Sequence, residues 1–151
     1  MATRVADRTA GDKTPAQIYS LVFGATLLLV GIIGFFVDAG FDAGSNVQGD
    51  KLIFFEVNGW HNLVHIASGA IGLLVCGSYA GSRAYALGLG VIYLAVTLLG
   101  FLAGNGDEIF NLIPVNTEDN FLHLLIGIAG VGAGLATPAT APPSTQSPAT
   151  A

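Results

Sequence analysis

An all-α transmembrane bundle of four helices, built from two tandem duplicated helical hairpins, is the fold this sequence predicts. Three observations carry that expectation. The 151 residues are 52% hydrophobic and only 10% charged, against ~25% charged in an ordinary soluble domain. The few charges leave four long gaps: Lys13 to Asp38, Glu56 to Arg83, Arg83 to Asp107, and everything after Asp119. One phrase also occurs twice, as Val57-Asn58-x-x-x-Asn62-x-x-His65-x-x-x-Gly69-x-x-Gly72 and Val115-Asn116-x-x-x-Asn120-x-x-His123-x-x-x-Gly127-x-x-Gly130. The copies share six identities at a constant offset of 58 residues.

A hydrocarbon core ~30 Å thick needs roughly 20 helical residues at 1.5 Å each, and the gaps supply four such segments, about 17–37, 58–79, 84–103 and 117–136. The first follows Arg4, Arg8 and Lys13, as a signal peptide would. It is too long for an h-region and no A-x-A site follows, so it is expected to be retained. The second and fourth open on Asn58 and Asn116, residues suited to capping a helix N-terminus. The third resembles the first: Tyr19-x-Leu21-x-x-Gly24 with Gly34-Phe35 matches Tyr85-x-Leu87-x-x-Gly90 with Gly100-Phe101 at an offset of 66, which makes the first intervening loop eight residues longer than the second. Two spans per copy give parallel repeats, related by an axis along the membrane normal. The membrane domain thus covers 14–136. Residues 1–13 are a polar, disordered segment, and 137–151, TPATAPPSTQSPATA, are too poor in apolar residues to bury a core and form a disordered tail.

Orientation follows from the loops. Arg4, Arg8, Lys13 and Arg83 share one side of a four-span chain. The other side holds Asp38, Asp42, Asp50, Glu56, Asp107, Glu108, Glu118 and Asp119, with Lys51 its only base. The positive-inside rule makes the basic side cytoplasmic, so both termini point into the cell from a multi-pass position in the plasma membrane. Tyr19, Tyr79 and Tyr85 then fall at the inner interface and Trp60 at the outer one, as an aromatic belt would.

A net charge of −5 without a basic patch excludes nucleic acid as a partner; the lipid bilayer is the partner the composition implies. Cys76 is the only cysteine and lies in the second span, where it packs as a small hydrophobe and forms no disulfide within the chain. Gly100-x-x-x-Gly104, Gly130-x-x-x-Gly134 and Ser68-x-x-x-Gly72 are candidate helix contacts. Packing within the chain is their plainest use, with a homo-oligomer or another membrane protein as the alternative. Tyr93 falls mid-span, where its hydroxyl should seek an acceptor. No Asp, Glu, Lys or Arg lies deep in a span, which argues against active transport. A nucleophile–base arrangement, a phosphate-cradling loop and a CxxC pair are all missing. The run Ala86-Leu87-Gly88-Leu89-Gly90 sits inside a span with no strand before it, so it is no dinucleotide fingerprint.

Chemistry is therefore sought at the heads of the second and fourth spans. Residues four apart share a helical face, so His61 stands above His65 and Asp119 above His123. Both deeper histidines lie ~10 Å below their caps. If the repeats face each other, three imidazoles and one carboxylate converge at similar depth. The leading expectation is a non-enzymatic protein in which Asn58, Asn62, Asn116 and Asn120, with the histidines, form an interhelical clasp of hydrogen bonds worth ~0.6–2 kcal/mol each. The competing one is a metal site on His61, His65, Asp119 and His123, suited to zinc or copper, with Asn62 and Asn120 orienting the rings and a redox or sensing role. Haem on His65 and His123 is a variant of it.

The strings VNGWHNLVHIASGAIGLL, GVIYLAVTLLGF and VNTEDNFLHLLIGIAG resemble domain of unknown function family 4383 over about residues 14–136. That resemblance implies a small four-span membrane protein of a mainly actinobacterial family without an assigned activity. Its motif positions map onto Asn58, His61, Asn62, His65, Asn116, Asp119, Asn120 and His123. Gly59 departs from the proline that many relatives carry there, and is expected to loosen the start of the second span.

Overall fold

The computed structural model describes residues 12–45, 47–104 and 107–141. The described residues form four helices: α1 (Pro15–Gly34), α2 (Gly59–Val75), α3 (Tyr79–Ala103) and α4 (Thr117–Ala136). Two small antiparallel ribbons, absent from the expected all-α fold, lie in the loops: β1 (Asp50–Leu52) with β2 (Phe55–Val57), and β3 (Asp107–Ile109) with β4 (Ile113–Val115). Helices α1, α3 and α4 are long and apolar enough to cross a membrane. Helix α2, at 17 residues, is shorter.

Each helix starts on a cap. Thr14 accepts from the Gln17 N–H while the Gln17 side chain returns a bond to Thr14, with Pro15 at the first helical position. Asn58 accepts from the His61 N–H, Ser78 from that of Gly81 and Asn116 from that of Asp119. Such side chains answer the donors every helix leaves free in its first turn. Ser78 starts α3 at Tyr79, five residues before the expected 84. Arg83 is thereby inside α3 rather than in the loop, and its Nε donates to Thr137 O at 3.0 Å. At the start of α2 the Gly59 N–H donates to Gly40 O at 2.7 Å, a bond proline has no hydrogen to make.

Packing inverts the usual polarity. Large apolar side chains face outward from all four helices, among them Leu29, Leu74, Val91, Leu98, Leu125 and Leu135. Many buried positions are small or polar, among them Gly24, Gly69 and Gly72 between α1 and α2 and Gly90, Gly127 and Gly130 between α3 and α4, with Leu27, Leu89 and Ile126 in a small apolar core. Chains solvated by lipid gain nothing from hiding leucine, so close backbone approach and hydrogen bonds hold their helices together. Of the candidate stripes, Gly130 and Gly134 do pack on α3 within the chain. Gly104 instead ends α3 with φ +119, in the left-handed half of the map that glycine favours.

Helix α1 packs chiefly on α2, and α3 chiefly on α4. Mid-bundle, the two pairs are tied by tyrosines. Tyr19 of α1 donates to Ile126 O of α4 at 3.1 Å, and Tyr85 of α3 donates to Ser68 O of α2 at 3.0 Å. Below them Thr137 is buried; its Oγ1 accepts from the Ala16 N–H at 3.0 Å. The tail thus starts as packed chain, while residues 1–11 and 142–151 lie outside the described residues.

Candidate functional site

The site sits at the ribbon end of the bundle. Asn58 and Asn116, after capping their own helices through Oδ1, each turn the amide nitrogen to the opposite half of the chain. Asn58 Nδ2 donates to Leu112 O in the turn of the second ribbon at 2.7 Å, and Asn116 Nδ2 donates to Phe54 O in the turn of the first at 2.7 Å. The deeper pair works within each half. Asn62 Nδ2 donates to Asp38 O at 2.8 Å, while its Oδ1 lies where a Cβ on Gly34 would stand; Asn120 Oδ1 meets Gly100 the same way. Neither deeper amide oxygen has a hydrogen-bond partner. A glycine Cα–H facing the oxygen is a weak donor that explains the arrangement.

Next to these amides, His61, His65 and His123 are brought together, all of them buried. One ring nitrogen from each lies within 4.8 Å of the others. The His61 ring centroid is 4.4 Å from that of His65 and 5.9 Å from that of His123. Tyr93 packs edge-on against His123, centroids 5.0 Å apart. His61 Nδ1 sits 2.8 Å from Glu56 O. A carbonyl can only accept, so Nδ1 carries the proton and Nε2 keeps its lone pair. By contrast, His65 Nδ1 and His123 Nδ1 are buried with no hydrogen-bond partner.

Asp119 occupies the position in α4 that His61 occupies in α2, but is not one of this group. Its Oδ2 accepts from the Glu56 N–H at 2.9 Å and the Asn116 N–H at 3.2 Å. The Glu56 peptide is thus gripped on both sides, its oxygen by His61 and its nitrogen by Asp119. The second ribbon has Pro114 at the equivalent place, which offers no N–H. Asn62 and Asn120 do not orient the rings, since their amide groups face Asp38 and the glycines; the acceptor that fixes His61 is the Glu56 carbonyl.

A family model described as Domain of unknown function (DUF4383) matches residues 17–136. The chain belongs to the DUF4383 family. Neither the curated proteins nor the solved structures contain a match to it. For this DUF4383 protein, three helices long and apolar enough to cross a membrane fit a membrane protein of unknown function, and the candidate chemistry rests on the side chains above.

The sequence reading missed two kinds of contact. An aromatic belt would leave Tyr19 and Tyr85 at the interface, yet Tyr19 is buried and both donate across the bundle. The weaker repeat that pairs Tyr19 with Tyr85 was the signal for them. The acceptors Leu112 O, Phe54 O and Glu56 O are backbone groups, for which a side-chain motif carries no signal.

Proposed function

We propose that this protein spans the plasma membrane four times with both termini cytoplasmic, as two duplicated hairpins clasped through Asn58 and Asn116, and that it holds a transition-metal ion on His61, His65 and His123. Reciprocal bonds support the duplication and the clasp. Asn58 to Leu112 O repeats Asn116 to Phe54 O, and Tyr19 to Ile126 O repeats Tyr85 to Ser68 O; the asparagines and all four acceptors follow the offset of 58, and the tyrosines follow the offset of 66 that relates the first and third spans. Helix α2 supports a fourth span because 17 residues give ~26 Å at 1.5 Å each, the short end of what crosses a bilayer.

The observation that carries the metal reading is the pair of buried, unpartnered Nδ1 atoms on His65 and His123. A buried polar group left unsatisfied costs ~1–3 kcal/mol, and histidines serving only as a clasp would be hydrogen-bonded across the interface. Three imidazoles suit zinc or copper. With metal–nitrogen bonds of ~2.0–2.1 Å, tetrahedral ligand atoms stand roughly 3.4 Å apart. Closing from within 4.8 Å takes a small rotation of each ring. His61 is already in the arrangement a metal ligand adopts, its second nitrogen held by a carbonyl. Haem fits less well: His61 lies against His65, where a macrocycle would have to pass, and the adjoining cavity holds only about 200 Å³.

Elemental analysis of detergent-purified protein, made without a histidine tag, tests this. Near one equivalent of zinc or copper per chain is expected, lost in the His65→Asn/His123→Asn double variant. No metal above background, even after reconstitution with either ion, overturns the metal reading and leaves the asparagine clasp alone, with buried water satisfying the rings.

A further inference from the structure

We infer that the fourth coordination position of this centre takes a small, neutral, lipid-soluble molecule, admitted from the bilayer between α1 and α4; the inference rests on the metal reading above. Three imidazoles leave a tetrahedral ion one position open, which is the pattern of reactive rather than purely structural sites. What faces that position decides what can reach it.

A cavity of about 200 Å³ touches His61, His65, His123 and Asp119. Apart from these and Thr26, its wall is apolar, with Leu27 and Val30 from α1 on one side, Leu122 and Ile126 from α4 on the other, and the first ribbon as its roof. Thr26 of α1 and Leu122 of α4 belong to this wall and are also exposed on the outer surface of their helices, which puts the mouth on the flank of the bundle where lipid chains run.

The two halves of the chain differ here. At the repeat position where α1 carries Leu27, α3 carries Tyr93, whose ring packs on His123. One side of the histidine group is filled by a side chain of the protein and the other is left to the cavity. The roof is strained: Ile53 has φ +63, a left-handed conformation that is a genuine outlier for a β-branched residue. Strain of this kind gathers at ligand clamps and switch regions.

The wall sets the chemistry of the occupant. No lysine or arginine lines the cavity, and the one carboxylate, Asp119, is engaged by two backbone N–H groups. An ion entering from the bilayer would shed its hydration along an apolar path that offers it no partner short of the metal itself. The volume is below the ~300–1,000 Å³ that encloses a drug-sized ligand, so the occupant is a molecule of few heavy atoms. Neutral charge, small size and solubility in lipid are its three requirements.

The test uses the full chain in lipid nanodiscs, loaded with cobalt(II), whose visible absorption reports coordination. Pyridine serves as the neutral lipid-soluble probe and azide as the small charged one. Pyridine is expected to change the spectrum saturably, with a half-saturation at least ~tenfold below that of azide. Thr26→Trp and, separately, Leu122→Trp bulk out the mouth from exposed positions. Either should leave cobalt stoichiometry unchanged and weaken the pyridine response by at least ~tenfold. Equal responses to both probes, or tryptophan variants that bind cobalt and respond to pyridine like the parent, overturn this inference while the metal site stands. Failure of the parent to take up cobalt, zinc or copper overturns the metal reading, and this inference with it.

Discussion

At positions 34 and 100 only glycine leaves room for a neighbour's amide. A Cβ built there would run into Asn62 Oδ1 and Asn120 Oδ1 respectively. Helix and strand propensity would each prefer alanine to glycine at such places, so the choice is explained by the contact alone. Gly34→Ala and Gly100→Ala should each destabilise the protein by ~1–3 kcal/mol, the usual effect of overpacking a close contact. Gly88→Ala is the control, because nothing stands within 4 Å of a Cβ there. Thermal unfolding in detergent, followed by circular dichroism, separates them; a Gly34→Ala midpoint equal to that of Gly88→Ala would sink the argument. The sequence showed both halves of this contact, Gly34-Phe35 with Gly100-Phe101 and Asn62 with Asn120, as repeats. It did not show that they meet, because that depends on how two helices pack. The histidines were more legible, since four-residue spacing puts His61 and His65 on one face whatever the partner. Asp119 follows the same spacing, but its carboxylate is drawn to the Glu56 N–H, a bond no spacing rule contains.

Among the elements, the helices were legible and the ribbons were not. A bilayer demands long uncharged stretches, so gaps between charges locate helices well. A three-residue strand is shorter than any alternation that could announce it, and residues 38–57 read only as an acidic loop. The same reliance on charge misplaced the start of α3, because Arg83 can sit on a helix surface and reach Thr137 O. The first ribbon also carries an avoidable strain. Its Ile53 is left-handed at φ +63, while the matching residue of the second ribbon, left-handed at φ +57, is Asn111. Asparagine tolerates that conformation and isoleucine does not. Ile53→Asn should therefore stabilise the fold by ~1 kcal/mol, the low end of the strain such a residue holds. Because Ile53 is 75% exposed, little packing is lost with its side chain. A thermal midpoint unchanged or lowered in the variant would show that the roof gains more from the isoleucine than the backbone loses.

Across the whole molecule, two levels of reciprocal bonds join the halves, asparagines to ribbon turns at one end and tyrosines to helix carbonyls mid-bundle. The sequence placed the polar groups by depth and by face, yet the partner across the bundle and the cavity beside it come only from assembly in three dimensions. Assembly also fixes what a four-span reading must satisfy. The ribbon end and the α2–α3 turn lie at opposite ends of α2, so they must face opposite sides of the membrane if α2 crosses it. Asp42, exposed in the loop before the first ribbon, and Gly77, exposed with nothing within 4 Å of a Cβ, are the sites that report this. In a Cys76→Ser background, Asp42→Cys should react with a membrane-impermeant maleimide in right-side-out vesicles. Gly77→Cys should react only once the membrane is opened. The acidic ribbon end against Arg83 and the basic N-terminal segment predicts that order and not its reverse. Labelling of both sites from one face would mean that α2 does not cross, and labelling of Gly77→Cys alone from outside would invert the chain. In either event the histidine centre would have to be placed afresh relative to the cell exterior, while its geometry within the bundle would stand.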